Sequence, residues 1–266
     1  MSALAALFDL TEAGHDAWTG VAGGPEGKRA FGGLIAAQSL AAACHTLDAA
    51  FQPTNMHLQF LRGGDAGAVL DLRVDRVYDG RTAAARRVES RQGGRLLTAA
   101  TVSFTVPLAG PEHGVRTVLP AQPDTLAPTG PPGPAPSLPL EELDIRIEDV
   151  GSGPDFVRRM WWRVTAPLPD VPLLHTLIAV YITDLYGVDP ASQVHGHSMS
   201  DRTHRTGTTD SSIWLHQSVR ADEWNLLESS SPAAARGRSV ITASLVRADG
   251  VIAATLVQEG LLADRD

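Results

Sequence analysis

Apolar positions along the chain follow two periods, which predict two long helices and a series of alternating strands. Val171 to Val188, VPLLHTLIAVYITDLYGV, places Leu174, Leu177, Ile178, Val180, Tyr181, Ile182, Leu185 and Tyr186 all round a helix. No polar face wide enough for water remains, so this helix is expected to be wrapped by other structure. Phe31 to Leu47, FGGLIAAQSLAAACHTL, reads as a second apolar helix, rich in alanine and entered through Gly32 and Gly33, and its small residues admit close packing. Between and after the helices the period falls to two. Leu70, Leu72 and Val74 alternate with Asp71 and Arg73, Asp79-Gly80 signals a turn, and a run from Thr82 to Gln92 leads through Gly93-Gly94 into Leu96 to Val106. In that last stretch Ala100, Val102, Phe104 and Val106 share a face, as in a hairpin strand. Near the start, Leu4, Leu7, Phe8 and Leu10 suggest a short strand or helical turn ahead of a glycine-rich segment.

The pattern then repeats. From Pro107 to Pro139 the chain is proline-rich with few large apolar residues, a composition expected of a linker rather than of a core. Beyond it the helix of Leu174 to Tyr186 precedes strands at Thr208 to His216, Trp224 to Ser229, Ser239 to Val246 and Val251 to Gln258, with a turn at Asp249-Gly250. Ala83-Ala84-Ala85-Arg86 recurs as Ala233-Ala234-Ala235-Arg236, and Thr98-Ala99-Ala100-Thr101 as Ile252-Ala253-Ala254-Thr255. Matches at corresponding points of both halves speak for duplication. The expected fold class is α+β: a double hotdog, each helix wrapped by a strongly bent antiparallel sheet, with the two sheets continuous edge to edge. The expected organisation is residues 1–106 and 140–266 as the two units, joined by residues 107–139, with the chemistry in the second.

Asp184 interrupts the apolar helix, its neighbours at three and four residues being Val180, Tyr181 and Val188. A buried carboxylate costs several kcal/mol unless it is partnered, so it has partners, a function, or both; a helix-end Asp turned outward by Gly187 is the bland alternative. In the last strand Gln258 shares a face with Ile252, Ala254 and Leu256, and a buried amide needs partners too. In the strand that opens at Thr208, period two puts Thr208, Asp210, Ser212, Trp214 and His216 together. Aligning the halves on their repeats sets Phe104 at the position of Gln258 and Pro53 at that of Thr208. The first half is apolar where the second is polar, which favours one working site per chain.

Composition narrows the field. A formal charge of -8 argues against a general nucleic-acid binder, which would show a basic patch. The single cysteine, Cys44, excludes an internal disulfide. No basic and apolar leader and no 18-residue apolar span appear, so neither membrane insertion nor export is expected, and a cytoplasmic protein is.

The segments FGGLIAAQSL (31–40), FLRGGD (60–65), DGRTAAARRVESRQGG (79–94), TTDSSIWLH (208–216), AAARG (233–237) and DGVIAATLVQEG (249–260) together resemble the TesB-type acyl-CoA thioesterases, the thioesterase II family of double-hotdog proteins. The resemblance implies hydrolysis of an acyl-CoA to fatty acid and CoA, as in lipid metabolism, by a water held between an Asp, a Thr and a Gln. Those roles fall on Asp184, Thr208 and Gln258. It implies no cofactor and no metal, an acyl-CoA as the partner, and further association of subunits into a homo-oligomer. Leu34 stands where members commonly have Gln, and Gly64 where Pro is usual, departures that bear on the pocket wall more than on the reaction.

Rival chemistry is thinner. Gly196-His197-Ser198-Met199-Ser200 resembles a nucleophile elbow but ends in Ser, with no apolar strand before it. His195, His197 and His204 lie in a polar loop without cysteines or a carboxylate pair, as solvated histidines do. Arg86, Arg87 and Arg91 could meet CoA phosphates, but they read rather as a wet sheet face. Two alternatives share the architecture: a non-catalytic acyl-CoA-binding protein, and a hotdog-type enoyl-CoA hydratase. The hydratase would need a histidine beside the acid, and His175, nine residues from Asp184, falls on the other side of the helix.

Overall fold

One antiparallel sheet organises the chain in the computed structural model, which describes residues 2–25, 27–120, 122–130, 138–198 and 201–265. In the first half α1 (Ala3–Ala6), β1 (Thr11–Gly14) and β2 (Ala17–Val21) precede α2 (Gly32–Cys44), and β3 (Gln52–Phe60), β4 (Val69–Asp79), β5 (Ala83–Gln92) and β6 (Arg95–Thr105) follow it. In the second half β7 (Leu143–Val150) and β8 (Val157–Val164) precede α3 (Pro172–Ile182) and a short α4 (Asp189–Val194), and β9 (His204–Leu215), β10 (Asn225–Ala235), β11 (Arg238–Arg247) and β12 (Ile252–Asp264) come last. The spatial order is β1-β2-β4-β5-β6-β3-β9-β12-β11-β10-β8-β7. It reads the same from either end once the halves are equated, with β3 and β9 as the central antiparallel pair and His57 opposite Ser212.

Both helices lie against the inner face of this sheet. Every residue of α2 from Gly33 to Ala43 is buried, as the absence of a polar stripe demands. A Cβ on Gly33 would collide with the Tyr181 carbonyl of α3, so glycine at the amino end of α2 is what lets the two helices meet. The strands bury alternate residues: Leu70, Leu72 and Val74 on β4, and Ala100, Val102 and Phe104 on β6.

Several expectations need correction. The helix expected over Val171 to Val188 does not run that far: α3 ends at Ile182, the Thr183 hydroxyl caps it by donating to the Val180 carbonyl (2.7 Å), and a series of turns leads to α4. Strands β1, β2, β3, β7 and β8 carry no clean alternation in sequence. On β8, Met160, Trp161 and Trp162 are buried in succession, because its outer face is covered as well as its inner one. The cover is the proline-rich segment, whose Leu119 and Leu126 pack on Trp161, Leu226 and Val246. That segment is pinned by the Thr117 amide to Gly250 (2.9 Å) and the Thr129 amide to Ile145 (2.7 Å), and Leu138 and Leu140 join the main core. Arg86, expected on a wet face, is fully buried: its guanidinium donates to Thr46 Oγ1 (2.6 Å), to the Tyr78 and Ala85 carbonyls and to Asp79. Arg87 and Arg91 do face outward and pair with Glu89. Among the described residues no helix is long and apolar enough to cross a membrane.

Candidate active site

The turn that ends α3 carries Asp184 out of the helix and into contact with β9 and the amino end of α2. The Thr208 hydroxyl donates to Asp184 Oδ1 at 2.8 Å, and the Gly33 amide donates to the same carboxylate. Gly33 is in the first turn of α2, where backbone N–H groups have no helical partner and the helix presents its positive end. A Cβ on Gly32 would stand 2.7 Å from Asp184 Oδ2, so Gly32 admits the acid to that end.

Gln258 of β12 completes the set. It is 2 % exposed, faces inward beside Leu256, and its amide nitrogen reaches Ser211 Oγ at 3.4 Å. Gly187 marks where the three groups meet. The position its missing Cβ would take lies 2.9 Å from Asp184 Oδ1, 3.1 Å from Gln258 Oε1 and 3.1 Å from Thr208 Oγ1. Three oxygens from a turn and two strands thus surround one point, and Asp184, Thr208 and Gln258 are brought together.

Burial decides the electrostatics. Removal from water pushes the Asp184 carboxyl up from its ordinary 3.8 to about 6, while the Thr208 hydroxyl and the Gly33 amide pull the other way. The acid is therefore ionised at neutral pH but far more basic than a solvated carboxylate.

Asp210 does not belong to the set. Residue Thr209 is the extra residue of a bulge between the pairs Thr208–Gly260 and Asp210–Glu259, and this reverses the alternation. Thr208, Ser211 and Ile213 face the helices, whereas Asp210 and Ser212 face outward, where Asp210 pairs with His57 Nε2 (3.1 Å) and Ser212 lies 2.6 Å from His57 Nδ1. Ser211, which sequence reasoning missed, enters in place of Asp210. His175 is buried elsewhere, its Nδ1 accepting from the Ala221 amide, and so is not a partner of Asp184. Met199 and Ser200 of the elbow-like stretch lie outside the described residues, and among the described residues no group of three or more His, Cys, Asp or Glu is placed to hold a metal ion.

The other half holds an apolar counterpart. Thr46 caps α2 through the Ala43 carbonyl as Thr183 caps α3 through Val180, which puts Leu47 where Asp184 stands. Pro53, opposite Phe104, matches Thr208, opposite Gly260. By the same pairing Gln258, opposite Ser211, corresponds to Val102, opposite Met56, not to Phe104. Helix α3 begins at Pro172 where α2 begins at Gly32, so its first residue has no N–H to offer. Leu47, Pro53 and Val102 offer no carboxylate, hydroxyl or amide side chain.

Two small cavities of about 10 Å³ each share Thr183 and Gln258 in their walls. One lies between the halves, against Ala36, Met56, Leu58, Phe60, Asp184 and Ile213. The other lies inside the C-terminal half, against Met160, Leu227, Ile241, Ala243, Leu256 and Arg158.

Comparison with known proteins gives a consistent picture. Residues 22–105 match the model of an acyl-CoA thioesterase N-terminal domain, and residues 111–262 that of an acyl-CoA thioesterase C-terminal domain. Human acyl-coenzyme A thioesterase 8 is 29% identical over 259 residues, covering 88% of this chain and 81% of its own length. The crystal structure of an acyl-CoA thioesterase II, TesB2, from Mycobacterium marinum superposes with a TM-score of 0.83 at 28% identity, covering 100% of this chain and 99% of that one. A hot dog fold protein from Alicyclobacillus acidocaldarius shares the fold at a TM-score of 0.79 and 16% identity over the full length of both chains.

Proposed function

From the premise that this chain belongs to the acyl-CoA thioesterase family, both of whose domains it matches, we propose that Asp184, Thr208 and Gln258 carry out the hydrolysis. The chain is a thioester hydrolase that cleaves acyl-CoA. We read its architecture as a double hotdog, in which the pairing of β3 with β9 makes one sheet of two. The observation that carries the mechanistic reading is the convergence of the three side-chain oxygens beside Gly187.

A thioester carbonyl is already electrophilic, so the protein has to supply a positioned water, a base and donors toward the developing oxyanion. A water between the three groups gives one hydrogen to Asp184 and the other to Gln258 Oε1, leaving a lone pair free for the carbonyl carbon. Asp184, at about 6, takes the proton as the C–O bond forms, and general-base assistance of this kind is worth about 10²- to 10⁴-fold. The Thr208 hydroxyl fixes the acid in place, and prior positioning removes an entropic cost. The Gly33 amide is committed to the acid, and the Gly32 amide beside it, also in the first turn of α2, can receive the carbonyl oxygen as it gains charge. Collapse of the tetrahedral intermediate breaks the C–S bond, and the Asp184 proton passes to the departing thiolate. The products are a free carboxylic acid and CoA thiol, with no covalent enzyme intermediate.

Thiol release from a panel of acyl-CoAs, run beside water addition to an enoyl-CoA, tests this reading. Thiol is expected from the panel and no hydration of the enoyl-CoA. Unchanged thiol release by Asp184→Ala would remove Asp184 from the mechanism.

A further inference from the structure

Positive charge gathers at one end of the first half, in a chain whose formal charge is -8. The segment leading into α2 carries Lys28 and Arg29, the loop after β3 carries Arg62, and β6 opens at Arg95; all four are exposed. Backbone bonds tie these pieces into one surface: the Ala66 amide donates to the Lys28 carbonyl (3.1 Å) and the Ala30 amide to that of Gly64 (2.8 Å). The arginines meet around Gly63. Arg29 Nε lies 3.0 Å from the position a Cβ would take there, Arg95 Nη2 donates to the Gly63 carbonyl at 3.4 Å, and Arg62 Nη1 donates to the Leu96 carbonyl at 3.1 Å. Asp65, 3.6 Å from Arg95, is the one acid among the described residues of these loops.

This surface adjoins the reaction centre. Phe60, two residues before Arg62, is half-buried and lines the cavity between the halves together with Asp184. Its ring lies 2.9 Å from the Cβ position of Gly32, which is itself 2.7 Å from Asp184 Oδ2. Phe60 to Gly63, like Gly32 to Arg29, is at most about 10 Å of chain. In an acyl-CoA about twelve bonds separate the sulfur from the first phosphorus, about 15 Å when extended. A thioester held at Asp184 therefore sets its phosphates within reach of these side chains.

The duplicated half is an internal control. Its matching loops lie before α3, after β9 and between β11 and β12, at the end that corresponds to Leu47 rather than Asp184. There Arg220 is held between Asp170 and Asp222, Arg247 pairs with Asp249 at 2.8 Å, and Glu223 adds a further acid. The scaffold alone thus does not call for a cationic surface in these loops; the excess of positive charge stands at the end that has the working acid.

We infer that Lys28, Arg29, Arg62 and Arg95 bind the diphosphate and 3′-phosphate of the substrate's nucleotide end, so that the protein selects its thioester by the phosphorylated carrier; this rests on the thioesterase reading above. A phosphate monoester carries a charge of about −2 at neutral pH, and the arginine fork matches phosphate oxygens in pairs. Each guanidinium has five N–H donors, so the bonds to the Gly63 and Leu96 carbonyls fix Arg95 and Arg62 in place while leaving donors for the ligand.

The test compares one acyl group carried on CoA, on dephospho-CoA, which lacks the 3′-phosphate, and on pantetheine, which lacks every phosphate. For the unaltered protein kcat/KM falls along that series by about tenfold or more, the loss lying in KM, since one charge-assisted contact is worth roughly tenfold. The double substitution Arg62→Gln with Arg95→Gln lowers the CoA to pantetheine ratio by about tenfold, whereas Arg220→Gln, at the matching place in the other half, leaves it within about twofold. Should the double variant fail to melt cooperatively, Lys28→Glu is read by the same ratio. Equal kcat/KM on all three carriers, a ratio that falls less than about threefold in a folded variant, or an equal fall on Arg220→Gln overturns the inference while the thioesterase reading stands. No thiol from any of the three thioesters overturns both.

Discussion

A side chain on Gly187 would stand 3.1 Å from Gln258 Oε1, on the same spot that Asp184 Oδ1 and Thr208 Oγ1 approach. Asp184 Oδ1, at 2.9 Å, has to move, but all three contacts are the ends of side chains and not backbone, so Gly187→Ala is expected to fold. The methyl group nevertheless enters the space between the three oxygens. Misplacement on this scale costs about 10²-fold in rate, so kcat/KM for any acyl-CoA should fall by about that factor, with a melting temperature lowered by only a few degrees. Full activity in the alanine variant would show that the point of convergence is not where the water sits.

Asp184 ties stability and catalysis to the same proton with opposite signs. Its folded-state value, about 6, lies above its ordinary 3.8, so folding favours the protonated form. The stability it contributes is complete below about pH 4 and is lost as pH rises through 6; by pH 7 the ionised acid costs about 3 kcal/mol. Activity runs the other way, rising through pH 6 as the base forms. Asp184→Asn should therefore lose about 10²- to 10⁴-fold in kcat and yet melt higher than the unaltered protein at pH 8, with the gap closing below pH 5. Melting curves at pH 4.5, 6 and 8 check the sign, and an Asn variant no more stable at pH 8 would contradict it.

Thr208 supplies the hydrogen bond that holds Asp184 down. Thr208→Val removes the donor while keeping the volume, and Thr208→Ser keeps the donor. The valine variant is expected to lose about 10²- to 10³-fold in kcat, as for one donor removed from a preorganised site, and its pH–rate inflection should move upward from that of the unaltered protein. The serine variant should keep the original inflection. A purely structural role for Thr208 would lower the rate of both without moving the inflection.

Asp210 is the control, and it shows where sequence stops being legible. Period two assigns Thr208 and Asp210 to one face, but the bulge at Thr209 sends Asp210 out to His57, and one inserted residue leaves no mark in the composition. Asp210→Asn should therefore leave kcat/KM within about twofold, a surface pair such as this being worth under about 1 kcal/mol. Ser211→Ala should lower it more, because Ser211 touches the Gln258 amide. Asp184 and Gln258 were legible because each is a polar group in an otherwise apolar pattern. The end of α3 was not, because Leu185, Tyr186 and Val188 continue the apolar pattern of the helix before them and the Thr183 cap stops it. Strand β8 was not, because it is covered on both faces and so loses the alternation that betrays β4 and β6. The donors of α2 lie some 150 residues from the acid and are brought to it by the pairing of the halves, which no local pattern records.

Arg86 separates the duplicated scaffold from the chemistry. It is fully buried, yet its carboxylate partner Asp79 is half exposed, and Thr46 keeps its own bond to the Ala43 carbonyl when the guanidinium is gone. Arg86→Met fills most of the volume and frees Asp79 to be hydrated, leaving the Tyr78 and Ala85 carbonyls without this donor. The loss should be about 1–3 kcal/mol, the cost of unmet buried acceptors, rather than the larger penalty of a stranded buried charge. Because Leu47, Pro53 and Val102 offer no base, hydroxyl or amide, space opened beside them gains no activity, and the acyl-length profile should match that of the unaltered protein. Denaturant melts read the first expectation and acyl-CoA turnover the second; a changed profile would mean that the first half takes part in acyl selection after all.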